Sequence, residues 1–406
     1  MPLRLLPAGA GPEARLLLAG RGLRAFGDGF VAVMLPIYLK FLGFDSFAIG
    51  MLATATLAGS AALTLGVGFT AHRFGHRRLL VAATVLMIGT GLGFMLEERF
   101  WPLLLIGFVG TLNPSSGDVS VFLPLEQALL AEGAEDRSRT SVFAAYSLVG
   151  SLVSALGALA AGLPELMRAA LGMNLVTAMQ AMFGLYAVLG LASYHLYRRL
   201  PARKGAARSA PARPLGPSRR IVLVLAALFS LDAFGGGFIV QSLLTLWLVD
   251  RFGLSLADAG NFFFWSGLLS AASYLAAARI AARIGLVNTM VFTHLPSNLL
   301  LILAPFAPSA GWAMALLLLR SALSQMDVPT RTSYVMAVVT PEERAAAASV
   351  TAVPRSLAAA LSPLAAGYLL LLSAFGWPLV AAGALKSVYD LLLLALFRHR
   401  RPPEER

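Results

Sequence analysis

LRAFGDGF at residues 23–30 returns at residues 231–238 as LDAFGGGF. The match runs on in both directions. LRAFGDGFVAVMLPIYLKFLGF from Leu23 aligns with LDAFGGGFIVQSLLTLWLVDRFGL from Leu231, and HRFG at 72–75 stands where ARIG stands at 282–285. RSRTSVFAAYSLVGSLVSALGALAAG from Arg137 is similar to RAAAASVTAVPRSLAAALSPLAAG from Arg344, and Asp118 and Asp327 fall at corresponding places. One structural unit is written twice, with Arg24 replaced by Asp232 and Asp28 by Gly236 in the second copy.

The composition says what solvates that unit. Hydrophobic residues make up 58% of the 406-residue chain and charged residues 13%, with a mean hydropathy of +0.76. A soluble domain carries about 25% charge. These apolar runs have no compensating polar face, so lipid is their solvent. The net charge of +12 lies between apolar segments, which points to membrane topology rather than to a nucleic-acid partner. With no cysteine, disulfides, thiolate metal sites and cysteine nucleophiles are excluded. The N-terminus reads as no cleavable signal, so the first span is expected to act as an uncleaved anchor.

A bilayer core about 30 Å thick needs about 20 apolar residues per helix. Twelve candidates are expected, at 16–41, 46–70, 79–96, 101–127, 140–163, 172–196, 221–249, 257–281, 286–305, 312–338, 345–372 and 377–397. With both termini cytoplasmic, the outer loops hold only Lys40, Arg99, Arg168 and Arg251, while 22 basic residues fall inside. An odd number of spans destroys that asymmetry. The stretch from Arg198 to Arg220, basic and rich in proline and glycine, reads as a cytoplasmic linker. The organisation expected is a six-helix bundle over 1–197, a linker over 198–219, and a second six-helix bundle with a short tail over 220–406. Because each copy has an even number of spans, the copies are parallel repeats related by pseudo-twofold symmetry about the membrane normal.

The loop after span two carries the most specific pattern. Gly68, Arg73, Gly75, Arg77 and Arg78 match G-x-x-x-D-R-x-G-R-R/K, with His72 in place of the Asp and His76 in place of the first Arg of the final pair. On this loop and the repeat, the whole chain resembles the Major Facilitator Superfamily. The resemblance implies an all-α membrane fold of twelve transmembrane helices, and it makes Gly68, His72, Arg73, Gly75, Arg77 and Arg78 a cytoplasmic gate loop. Two features of that family's drug-proton antiporters are missing. Span four, LLLIGFVGTLNPSSGD, has no arginine, and GSLVSALGALAAG in span five lacks the proline of their pattern.

Charge inside the spans marks the candidate pathway. Arg21, Arg24, Arg320, Arg331, Arg355 and Lys386 face six acids: Asp28, Asp118, Glu126, Asp232, Asp327 and Asp390. A charge at mid-bilayer costs at least about 2.5–3.5 kcal/mol, so these groups should face one another or a wet cavity. Spacing of four pairs Arg24 with Asp28, Asp327 with Arg331, and Lys386 with Asp390, the last read as a structural salt bridge. Arg320, Ser324, Asp327 and Arg331 form one polar stripe, and Arg21 is expected to snorkel. Since spans one and seven line the cavity in the family, Arg24 and Asp232 are expected to meet in one access state. Burial favours a protonated carboxyl and a neighbouring arginine reverses that, which makes Asp28, Asp118, Glu126 and Asp327 candidate proton carriers. Arg320 and Arg355 offer the alternative of an anion site.

Other signals are discounted. GTGLG at 89–93 lies inside span three without a preceding strand and reads as close helix packing. His294, the one histidine well inside a span, lacks the partners of a metal site. FFFW at 262–265 reads as an interfacial belt. Nothing suggests hydrolysis, a nucleotide loop or a cofactor. The expected function is alternating-access transport of a small molecule. Proton-coupled efflux of an organic compound leads, ahead of uptake of an organic anion or sugar-like solute. A membrane enzyme or lipid-handling protein on the same fold is the alternative of another class. The chain is expected to work as a monomer. Its alanine-rich composition points to a prokaryotic source, hence the inner membrane.

Overall fold

The computed structural model describes residues 11–115, 120–133, 136–201 and 215–398. All regular structure among them is helical: α1 (Pro12–Phe41), α2 (Ser46–Phe74), α3 (His76–Leu96), α4 (Phe100–Val109), α5 (Phe122–Gly133), α6 (Asp136–Ala160), α7 (Leu163–Leu171), α8 (Leu175–Arg198), α9 (Arg219–Gly237), α10 (Gln241–Phe252), α11 (Leu256–Ile284), α12 (Leu286–Leu303), α13 (Ala310–Ser324), α14 (Asp327–Val338), α15 (Arg344–Leu372) and α16 (Trp377–Phe397). Nine stretches of the described residues are long and apolar enough to cross a bilayer. The other three spans of the twelve-helix fold are α4 with α5, the 29-residue α11, and α13 with α14. Large apolar side chains such as Phe69, Leu96 and Trp101 are at least 72% exposed, which only a lipid solvent tolerates at this density.

Three spans expected to be continuous are broken. Span four ends α4 at Val109 and resumes as α5 at Phe122, with Pro114 between them. Span seven breaks at residues 238–240, directly after Gly235, Gly236 and Gly237. Its repeat segment is two residues longer than that of span one, and the extra length coincides with the break. Span ten breaks at Gln325 and Met326. Pro329 then falls in the first turn of α14, where its missing N–H costs no helical bond. The short helix α7 occupies what reads in sequence as a plain outer loop.

The chain forms two compact units. The first comprises Met1–Phe44, Ala55–Arg208 and Ser255–Phe264, and the second Asp45–Thr54, Ser209–Leu254 and Trp265–Arg406. Within the first, Glu165 of α7 accepts the Leu256 N–H at 2.8 Å and the Ala257 N–H at 3.2 Å, capping α11. Within the second, Gly50 of α2 packs on α15, where a Cβ would stand 2.6 Å from the Pro363 carbonyl oxygen.

The repeated octapeptide does the same packing in both units. A Cβ on Gly29 would run into the carbonyl oxygen of Ser154 on α6, and a Cβ on Gly237 into that of Ala359 on α15. Ser154 and Ala359 are equivalent when the two segments are aligned on their terminal glycines, Gly162 and Gly367. Two residues earlier, Gly27 faces Tyr186 of α8 at 2.9 Å and Gly235 faces Lys386 of α16 at 3.0 Å. Each copy thus uses one glycine per neighbouring helix to bring backbones together. The turn glycines repeat too. Gly75, between α2 and α3, has φ 77° and ψ 146°, and Gly285, between α11 and α12, has φ 84° and ψ 163°. Side chains rarely adopt either conformation.

Apolar packing fills the rest. Tyr38, Phe94 and Phe183 interlock in the first unit, with centroids 5.0 and 5.3 Å from the Phe183 ring. In the second, Val222, Phe229, Met290, Tyr389 and Phe397 belong to one buried cluster.

Candidate functional site

In the first unit, α1 presents Arg24 to Glu126 on α5, and both side chains are almost fully buried. Glu126 is a hub. It accepts the Arg24 guanidinium and the Tyr197 hydroxyl of α8, and Tyr146 of α6 donates to it at 2.5 Å. Arg24 Nε donates to the Tyr197 oxygen at 3.2 Å, and its guanidinium lies 4.1 Å from the centre of the Phe122 ring. Four helices therefore meet on one carboxylate.

This arrangement alters two expectations. The four-residue spacing assigns Arg24 to Asp28, but Arg24 turns to α5. Asp28 is left buried beside the Tyr186 hydroxyl, within the fields of Arg24 and Arg21. Arg21 does not snorkel. It is 7% exposed, its guanidinium lies 5.2 Å from the Tyr146 ring centre, and the absent side chain of Gly150 makes room for it.

In the second unit the hub is Asp232 on α9. Its Oδ2 accepts Arg331 Nη1 of α14 at 3.0 Å, and its Oδ1 accepts Lys386 Nζ of α16 at 2.7 Å. Arg331 also donates to Asp327 Oδ2 at 2.8 Å, so this pair forms at the spacing read from sequence. The Lys386–Asp390 pair does not form. Lys386 reaches Asp232 instead, and Asp390 is bonded by His294 and Asn298 of α12. The cause is the same as in the first unit. A cation four residues from an acid on one helix is drawn to a buried carboxylate on another, where it ties two elements together. His294, read in sequence as lacking partners, is a member of this network.

The remaining candidates divide. Arg24 and Asp232, expected to meet each other, each have partners within their own unit. Arg320 lies within electrostatic reach of Asp232 and Asp327, and Arg355 within reach of both and of Arg331. Neither arginine forms an ion pair among the described residues, and Arg320 Nε is buried without a hydrogen-bond partner. The polar stripe bends at the break before Asp327. Asp118 lies outside the described residues. Phe262 and Phe263 are buried and only Trp265 of the aromatic run is highly exposed, so the run is no interfacial belt. Gly91 of the GTGLG stretch faces the α8 backbone at 2.7 Å, in keeping with close packing.

In the loop between α2 and α3, Arg77 Nη2 donates to the Arg198 carbonyl oxygen at 2.7 Å, closing the last turn of α8. Arg73 and Arg78 are exposed, Gly68 has open space where a Cβ would stand, and the His72 side chain lies outside the described residues. Glu343 holds the chain that enters α9. It accepts the backbone N–H of Gly216, that of Ser218 at 3.3 Å and the Thr340 hydroxyl at 3.1 Å. The Ser218 side chain first, then these donors, hold its carboxyl below the ordinary glutamate range. Sequence reading missed Tyr146, Tyr197, His294 and Asn298. They sit on α6, α8 and α12, and no sequence spacing links them to the acids they serve.

Comparisons with known proteins agree with this architecture. The chain is 25% identical to the uncharacterised membrane protein YJR124C of Saccharomyces cerevisiae, over 96% of this chain and 94% of that one. A protein of Yersinia enterocolitica named for multidrug resistance, MdtD, is 35% identical over 24% of this chain and 22% of its own. A variant of the nucleoside transporter NupG has the same fold, with a TM-score of 0.77 at 14% identity over 95% of this chain and all of that one. The family model of the Major Facilitator Superfamily matches residues 17–326 and 233–406. The chain belongs to the Major Facilitator Superfamily, a family of multi-pass membrane transporters.

Proposed function

We propose that this transporter couples export of a small organic compound to protons by alternating access of two halves, 1–197 and 220–406, joined through 198–219. One observation carries the reading. In each unit the cation expected beside a buried acid is bonded to an acid on another helix, which leaves Asp28 to the more distant fields of Arg24 and Arg21 and Asp390 to that of Lys386. A buried carboxylate without a cation is stable in its protonated form, and a group that must take up a proton when enclosed can carry one across. Glu126 and Asp327, each bonded by an arginine, hold the bundles together instead. The loop Gly68 to Arg78 acts as the cytoplasmic gate, with Arg77 securing the end of α8. Export takes its support from the resemblance to MdtD over a quarter of the chain, and the inner membrane is the expected setting. The protein works as a monomer.

The test is flux in proteoliposomes against a panel of organic compounds under an imposed pH gradient. The reading expects compound-dependent dissipation of the gradient that is lost in Asp28→Asn. Flux of a transported compound that ignores the gradient overturns it.

A second reading rests on Arg320 and Arg355, two cations without an anionic partner among the described residues. An organic anion supplies the missing charge. The same panel separates the two, because anion uptake survives Asp28→Asn and fails in Arg320→Gln.

A further inference from the structure

Asp390 is fully buried, and no lysine or arginine lies within 4.0 Å of it among the described residues. Its donors are Asn298 Nδ2 at 2.7 Å and His294 Nδ1, which stands 3.1 Å from both carboxylate oxygens. The second ring nitrogen, His294 Nε2, lies 3.9 Å from Asp232 Oδ1. A neutral imidazole has one N–H. If that hydrogen serves Asp390, Nε2 turns a lone pair toward the Asp232 carboxylate. A second proton, on Nε2, makes the ring a cation that donates to Asp390 and faces Asp232 as an ion pair at 3.9 Å. Without it, Asp390 is a buried anion whose neighbouring cation, Lys386, is bonded to Asp232, a state that burial penalises.

We propose that His294 and Asp390 form a proton-binding site that takes up one proton from water and releases it as a pair, and that this proton sets how firmly α9 is held to α12. When bound, the proton makes His294 a bridge between Asp390 on α16 and Asp232 on α9. When it leaves, Asp232 is held by Lys386 and Arg331 alone. Asp232 from α9 and Lys386 and Tyr389 from α16 face the pair directly, while Arg320 from α13, Asp327 and Arg331 from α14 and Arg355 from α15 belong to the charge network around Asp232. The lever is short. Asp232 precedes Gly235 by about one helical turn and the break in span seven by about two, so the tie at Asp232 acts on the segment best able to bend. Use of the site in transport rests on the proton-coupled reading, whereas its existence does not.

The full chain, labelled with nitrogen-15 in its five histidines and placed in lipid nanodiscs, tests the site by NMR against pH. His294→Gln identifies the signal. The native ring should gain its second proton in one step, and Asp390→Asn should weaken that proton's affinity at least tenfold, while Asp390→Glu retains the step. A His294 ring that keeps a single proton throughout, or a step unchanged by Asp390→Asn, overturns the proposal. If Asp390→Asn does not accumulate, the native titration alone still decides against the site when no second proton binds. The flux assay reads separately. A titrating His294 in a transporter that ignores the pH gradient preserves the site and removes the coupling reading. Gradient-driven flux with a ring that never titrates does the reverse.

Discussion

The two units share their glycines and differ in their charges. Gly29 and Gly237 press on equivalent carbonyls, Gly27 and Gly235 face α8 and α16, and Gly75 and Gly285 take the same left-handed turn. The hubs are unlike. In the first unit a glutamate on α5 gathers one arginine and two tyrosines, and in the second an aspartate on α9 gathers an arginine and a lysine. Backbone approach tolerates no side chain, so both copies retain its glycines. Charge only has to be matched within each unit, so a pair can migrate from one helix to another between copies. Both rearrangements leave one carboxylate over, and the proposed proton coupling rests on those leftovers.

This comparison can be broken most forcefully at the hubs. Asp232→Asn leaves Lys386 buried without its counter-charge and should destabilise the second unit by about 3–5 kcal/mol, read from unfolding in mild detergent. Glu126→Gln strands Arg24 but leaves the tyrosines an acceptor, so its loss should fall at the lower end of that range. Equal tolerance of both changes contradicts the hub assignment.

Next in size are the shared glycines. Gly29→Ala and Gly237→Ala should each cost about 1–3 kcal/mol by forcing α1 from α6 and α9 from α15. Similar losses sharpen the equivalence of the copies, and a loss in one alone breaks it. Arg77→Ala removes one hydrogen bond at an exposed helix end, so a loss of about 0.5–1.5 kcal/mol is expected.

The smallest effect is the pH dependence from Glu343. Its carboxyl is held below the ordinary value of 4.5 in the folded chain, so its contribution is complete above that pH and disappears as the pH falls through the lower folded value. Thermal unfolding between pH 3 and 6 should show a steeper acid loss in the native chain than in Glu343→Gln.

Much of the fold is legible in the sequence because lipid demands length and apolarity together. The spans, their number and the repeat need nothing else. Breaks are harder to see. The glycine triplet at 235–237 and Pro114 are visible signals, but a glycine inside a span serves close packing as readily as a break. Side-chain partners were least legible. Spacing of four places Arg24 near Asp28 and Lys386 near Asp390, yet both cations choose an acid across the helix interface. Only Asp327 and Arg331 pair as spaced, and there Arg331 also reaches Asp232. His294 looks isolated in the sequence because the acids it faces, Asp390 and Asp232, lie on other helices, and Tyr146 and Tyr197 carry no pattern that distinguishes them from core aromatics.

The most direct test of the account asks which carboxyls carry protons. Infrared difference spectra of the full chain in lipid, recorded across a pH step, resolve protonated carboxyl stretches, and asparagine or glutamine variants assign them. The account predicts a band that vanishes in Asp28→Asn and persists in Glu126→Gln and Asp327→Asn, with no such band from Asp390, whose site holds its proton on His294. Bands that vanish only in Glu126→Gln and Asp327→Asn would show that the arginine-bonded acids, not Asp28, carry the proton.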